Sequence, residues 1–239
     1  LGLDEVEQVE QEFRGSETPS FQWGTRTGST KQKCDKVTTG QVCAIPPSKT
    51  LSYCVHNLPG GSGLTAAQST RVLNIIEGFD SGSDFVLNPG AVSDCNGFPQ
   101  QISFYSSAVG SSGTASNDVK NYANAAFSGM TGLTKGAGVV GSYQTWSSCL
   151  VTLDTVDIAA KGTSSTQDNN ILDHAAKHSL LVCLGVGGFS SNPGGLASRN
   201  LINGAIAQTS VSSGEACQLQ NFTLSDPGQY NLQPDCAAD

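Results

Sequence analysis

A chain of 239 residues is long enough to bury its own core without external staples, as one large domain or two small ones. Charged residues make up 13% against about 25% in an average soluble domain, and 28 Gly with 9 Pro spread turns along the chain, which excludes a coiled coil or long-helix protein. Lys and Arg number 12 against 20 Asp and Glu, a net charge of −8, so no basic field draws in a phosphate backbone. No apolar run approaches the roughly 20 residues needed to cross a bilayer. Nucleic acid is therefore excluded as a partner, and no membrane span is expected.

Near the start, Leu3, Val6, Val9 and Phe13 recur at helical spacing among Glu5, Glu7, Glu10 and Glu12, which predicts a short amphipathic helix over residues 1–14. The charge then reverses between Arg26 and Lys49, with Lys31, Lys33 and Lys36 against Asp35, until Pro46-Pro47 interrupts the pattern. Residues 1–46 are thus expected to form an N-terminal extension, as a retained pro-segment or an arm packed over a domain of residues 47–239. The chain opens with the acidic stretch Leu1 to Glu5 rather than a basic and then apolar leader, so the form in hand is expected to be already processed.

The β-rich run Thr50 to His56, closed by the turn Pro59-Gly60-Gly61, predicts the first strand of that domain. Thr65 and Gln68 make a capping-box signature, and Val72, Ile75, Ile76 and Phe79 follow at helical spacing, so a core helix starts there. Residues 84–87 and 101–105 read as short strands of one sheet. Ser116 is placed to cap a second helix carrying Val119, Tyr122, Ala123 and Ala126. A Gly-rich loop over 129–141 precedes a strand at 149–153. A polar loop over 161–170 then leads into a helix whose first apolar residues are Ile171 and Leu172. No internal repeat interrupts this order.

Eight cysteines, at 34, 43, 54, 95, 149, 183, 217 and 236, include no Cys-x-x-Cys pair of the zinc-knuckle or redox kind. An even count at scattered spacing predicts four disulfides, an oxidising compartment and hence secretion into the extracellular space. Connectivity is open from sequence, with Cys34–Cys43 and Cys217–Cys236 as the local loops to consider. Asn221-Phe222-Thr223 is a weak glycosylation acceptor, matched as readily by chance.

Two of the three histidines stand in Asp173-His174-Ala175-Ala176-Lys177-His178, four residues apart. On a helix such residues lie one turn apart, with Cβ atoms about 5–6 Å from each other, so both imidazoles reach one ion. Zinc accepts neutral imidazole nitrogen, but a catalytic site adds a third protein ligand and keeps one position for water. Taken alone, the pair is better explained as two helix residues satisfied by the backbone or solvent.

With its context, however, the segment resembles the zinc helix of the secreted metzincin metallopeptidases, particularly the matrixin and astacin relatives. The similarity covers about residues 50–190 as a strand, a helix, further strands and then the paired histidines, followed by Leu184-Gly185-Val186-Gly187-Gly188. In that family the helix reads His-Glu-x-x-His-x-x-Gly-x-x-His, and His174 and His178 match its first two ligands. Ala175 stands where the family has its general-base Glu, Leu181 where it has Gly, and Leu184 where it has the third ligand. The single methionine, Met130, precedes the helix, so the family's Met-containing turn is missing from its place. The resemblance implies an α+β fold, a metzincin-like mixed twisted sheet packed on helices, preceded by the N-terminal extension.

It also implies a degenerate centre. The family's Glu takes the proton of the metal-bound water and passes it to the leaving amine, which Ala175 cannot do, and such a loss costs about 10²–10⁴ in rate. The expected function is a secreted, metallopeptidase-like protein with a non-hydrolytic binding or structural role toward a protein or peptide partner. Zinc is the implied cofactor, held at His174 and His178 or absent if the site has fully decayed. Two alternatives stay open: a zinc-dependent metalloendopeptidase seen in an inactivated or pro-form, and an extracellular adhesion or coat domain unrelated to peptidases. Because the Glu, Gly and third-His positions all differ, natural divergence is favoured over an engineered Glu-to-Ala change.

A distant third ligand would rescue the enzyme reading. Glu215, His56 and Asp173 are weak candidates, Glu215 being better read as a solvated loop acid and His56 as a structural strand residue. No Gly-x-Ser-x-Gly elbow, P-loop or EF-hand loop occurs, and Gly185-Val186-Gly187-Gly188 lacks the rest of a dinucleotide fingerprint. The aromatics are too scattered along the chain to mark an evident stacking platform for sugars.

Overall fold

A computed structural model of the chain describes residues 25–26, 42–56, 63–83, 85–90, 95, 100–109, 116–132, 142–185, 202–203, 206–207 and 219. The expected helix over residues 1–14, Glu215, Asn221 and the cysteine pairings suggested for Cys34–Cys43 and Cys217–Cys236 fall at least partly outside these residues.

The first described strands are short, β1 (Thr25–Arg26) and β2 (Val42–Ile45). In β3 (Thr50–Val55) a period of two buries Leu51, Tyr53 and Val55 while Thr50 stays exposed and Ser52 half-exposed. Helix α1 (Ala66–Gly82) begins where the sequence signals it. The Thr65 hydroxyl accepts from the Gln68 N–H, and the Gln68 side-chain oxygen accepts from the Thr65 N–H at 2.9 Å, satisfying two donors at the helix start. Val72, Ile75, Ile76 and Phe79 form its buried stripe. Asp80 accepts the Leu87 N–H at 2.6 Å, tying the helix end to β4 (Val86–Pro89).

Next come β5 (Ile102–Ser106), β6 (Ala123–Ser128), β7 (Thr131–Gly132), β8 (Ser142–Thr145) and β9 (Ser148–Leu153). Two helices follow, α2 (Thr155–Lys161) and α3 (Ser165–Cys183), and then the hairpin β10 (Ile202–Asn203) and β11 (Ile206–Ala207). The principal sheet has five strands in the order β4-β3-β5-β9-β6. Its first four strands are parallel, and β6 closes the edge antiparallel to β9. The described architecture is mixed α/β, a mixed sheet with three helices.

The core lies on one face of this sheet. Val55, Ile102, Phe104 and Val151 pack in one cluster with Val72 and Ile76 of α1 and with Ile171, Leu172 and Leu180 of α3. Each such side chain contributes about 1.5–3 kcal/mol by leaving water. Among the described residues two disulfides are formed: Cys149–Cys183 joins β9 to the last turn of α3, and Cys54–Cys95 joins β3 to the segment before β5. A second sheet, β1-β2-β8-β7, pairs β2 in parallel with β8, so residues 42–45 of the N-terminal stretch bond directly to residues 142–145. Ala44 and Ile45 are buried there. No described helix is long and apolar enough to cross a membrane.

Two sequence expectations need correction. The helix expected after Ser116 is a single 3-10 turn, Val119–Asn121, followed by β6. Ala123, Ala125 and the outward Asn124 alternate with period two, a pattern that small alanines disguise as helical, and pairing with β9 decides the outcome. The loop expected over 161–170 is instead the end of α2 and the first turns of α3. Asp154 caps α2 by accepting the Asp157 N–H at 3.0 Å, and Ser164 caps α3 by accepting the Gln167 N–H at 3.3 Å. After β6 the chain turns at Gly129, where φ is +60° and a Cβ would fall 1.7 Å from the Ser147 hydroxyl, so only glycine fits.

Candidate functional site

The paired histidines lie in the third turn of α3 and beyond, where the helix is buried almost all round. It packs against β6 and β9 on the sheet side and against α1, α2 and β11 elsewhere. His174 is 0% exposed and His178 7%. Their ring centroids are 6.2 Å apart with planes inclined by 12°, as the spacing of four residues predicts for one helix face. The segment that carries them is helical, and the two rings run side by side.

Between them Ala175 and Ala176 are 0% exposed. At 175 a methyl group packs into the core where the resembled family places a carboxylate, so the chain offers no proton acceptor at that position. The helix ends in the region of Leu181 and Leu184, both fully buried, and Gly185 at φ +85° takes the left-handed conformation that stops it. Leu184, at the third-ligand position of the resembled motif, faces the core as an aliphatic side chain.

Asp173 has another commitment. Its two carboxylate oxygens accept from the Arg71 guanidinium, one from Nε and the other from Nη2 at 2.7 Å, in a fork that joins α3 to α1. The Asp173 side chain is 14% exposed and that of Arg71 36%. A carboxylate so engaged has little left to offer a cation near His174. His56 stands elsewhere again. Its backbone N–H donates to the Phe104 carbonyl at 2.8 Å just past β3, and its ring lies 4.7 Å from that of Tyr105. Alternation along β3 puts it on the sheet face opposite Val55, and so opposite the helices. Glu215 lies outside the described residues.

Among the described residues no group of three His, Cys, Asp or Glu is gathered closely enough to hold a metal ion. A catalytic zinc keeps three protein ligands, of which His174 and His178 are expected to be two. Among the described residues, His174 and His178 are the donors that stand at ligand spacing on one helix.

Sequence reasoning missed the Arg71–Asp173 fork, because the partners are 102 residues apart and no local spacing signals their meeting. It also missed Asp154. This carboxylate is 4% exposed and accepts both the Asp157 N–H and, at 2.9 Å, the Val109 N–H, anchoring the chain beyond β5 to the start of α2. Here a signal existed, since Asp154 precedes a run with a cap pattern. No family model matches the chain, and no curated protein matches it at a significant level.

Proposed function

We propose that the chain is a secreted, metzincin-like relative of the zinc metallopeptidases whose centre has decayed, and that it works as a non-hydrolytic binding or structural protein toward a protein or peptide partner. The observation that carries this reading is the parallel pair His174 and His178 on one turn of α3 with a buried alanine, Ala175, at the general-base position. Two imidazoles are kept in ligand spacing, while the group that would activate water and the third donor are not.

The order of strand, helix, further strands and histidine-bearing helix supports the resemblance at the level of architecture, with the sheet beneath the helix. On this reading residues 47–239 form the peptidase-like domain and residues 1–46 its extension. The two disulfides among the described residues accord with an extracellular location.

Metal analysis combined with a cleavage assay tests the proposal. Purified protein dialysed against zinc and then against metal-free buffer is expected to retain well under one equivalent. Incubation with a mixed peptide library is expected to give no new termini, with or without added zinc. Stoichiometric zinc surviving dialysis, together with chelator-sensitive peptide cleavage, would overturn the proposal in favour of an active metalloendopeptidase.

A further inference from the structure

The two sheets are braced unequally. Strands of the principal sheet are four to six residues long, and α1, α3 and both disulfides among the described residues hold it together. Strands of the second sheet are two to four residues long. Its middle pair joins distant stretches of chain, with Val42 opposite Ser142 and Ile45 opposite Thr145 in parallel register. A four-residue parallel ladder is weak by itself, so burial must hold it. Ala44, Ile45 and Pro46 are all buried.

Just past β8 stands Trp146, whose backbone N–H donates to the Ile45 carbonyl at 3.4 Å. Ala44 and Gln144 are register partners and share a face, to which Trp146 returns two residues on. The Trp146 side chain is 1% exposed, belongs to the same core cluster as Ala44, and stacks on Phe127 with ring centroids 6.2 Å apart. Its indole N–H has no hydrogen-bond partner among the described residues. A buried tryptophan ordinarily finds an acceptor, and an unmet donor costs free energy that water would return. Apolar burial therefore favours the closed arrangement while an orphaned donor opposes it at the same place, a balance that suits a segment able to open locally.

We propose that residues 42–46 are a strap, which closes over Trp146 and the edge of β8 and lifts away as a unit while the principal sheet stays folded. Lifting wets the Trp146 indole and frees the backbone groups of β8 that face β2. It leaves β3, β5 and β9 paired, because their ladders, the helices on them and the Cys149–Cys183 bridge do not pass through β2. The N-terminal stretch thus carries a movable cover for one buried aromatic. The strap is independent of His174 and His178, and neither its closure nor its test involves zinc or peptide cleavage.

Hydrogen exchange and tryptophan fluorescence of the full chain test the proposal, with Trp23→Phe as the reference protein so that Trp146 is the single tryptophan. In the reference, amides of residues 42–45 are expected to exchange at least about tenfold faster than those of β3, β5 and β9. Ala44→Arg puts a long cation at a position that is 0% exposed and so disfavours closure. It is expected to raise acrylamide quenching of Trp146 several-fold and to shift its emission to the red, while β3, β5 and β9 keep their protection. Exchange of residues 42–45 at the rate of the principal strands, a Trp146 that stays shielded in Ala44→Arg, or loss of protection in β3, β5 and β9 along with the strap would each overturn the proposal.

Discussion

The Arg71 guanidinium grips both carboxylate oxygens of Asp173, binding α1 to α3 immediately before His174. The pair sets the rotation of the histidine-bearing turn from outside the core. Arg71→Met leaves a largely buried carboxylate without its cation and is expected to cost about 1–2 kcal/mol, the lower part of the range for charge-assisted bonds because Arg71 is more than a third exposed. Urea unfolding of Arg71→Met, Asp173→Asn and the double variant measures this. The double variant is expected to lose less than the sum of the singles, and strict additivity would deny the coupling.

The substitution Ala175→Glu, which supplies the acid of the resembled motif, places a carboxyl where the side chain is 0% exposed. Burial disfavours the charged form, so the variant is expected to be destabilised by about 3 kcal/mol or more near neutral pH. The sign follows from linkage: a carboxyl whose pKa is raised by folding costs least when protonated, so the loss should shrink toward about pH 5. Thermal unfolding at the two pH values checks this, and peptide cleavage is expected to remain absent in either condition.

Cys149–Cys183 closes a loop of sequence separation 34 between β9 and the end of α3. The chain-entropy account puts its contribution at about 3–4 kcal/mol. The double variant Cys149→Ala/Cys183→Ala is expected to unfold at correspondingly lower urea. Its midpoint should no longer respond to the loss of that bond when reductant is added. A midpoint equal to that of the parent chain would mean that α3 is held by packing alone.

Tyr122 is fully buried and donates its hydroxyl to the Ser116 carbonyl at 2.6 Å. Burial first, and then the Asp157 charge, push its pKa above the ordinary value of 10.0. Tyr53 is raised in the same direction, by burial and then by Glu77 and Asp80. For a group raised by folding, the stabilisation is fully present below the unfolded value and is lost as pH climbs from there through the folded value. Unfolding free energy is therefore expected to fall above about pH 10. Tyr122→Phe should lose about 1 kcal/mol of hydrogen bonding at neutral pH yet show a shallower alkaline decline. Tyrosinate absorbance against pH gives the titration directly.

Local sequence was enough for whatever depends on near neighbours in the chain. The Thr65–Gln68 capping box started α1, the alternation of Leu51, Tyr53 and Val55 made β3, and the four-residue spacing of His174 and His178 placed both rings on one helix face. Composition already excluded a membrane-spanning helix, and the cysteine count announced disulfides. Tertiary pairing alone made β6 a strand, because small alanines satisfy a period of two or of 3.6 equally well and only the hydrogen-bond ladder of β9 tells them apart. It alone brought Arg71 to Asp173 and His56 to Tyr105, residues distant in the chain whose meeting is set by strand order and helix packing. Chemistry that rests on one helical turn can be read along the chain, whereas chemistry assembled across a sheet exists only once the strands have chosen their neighbours.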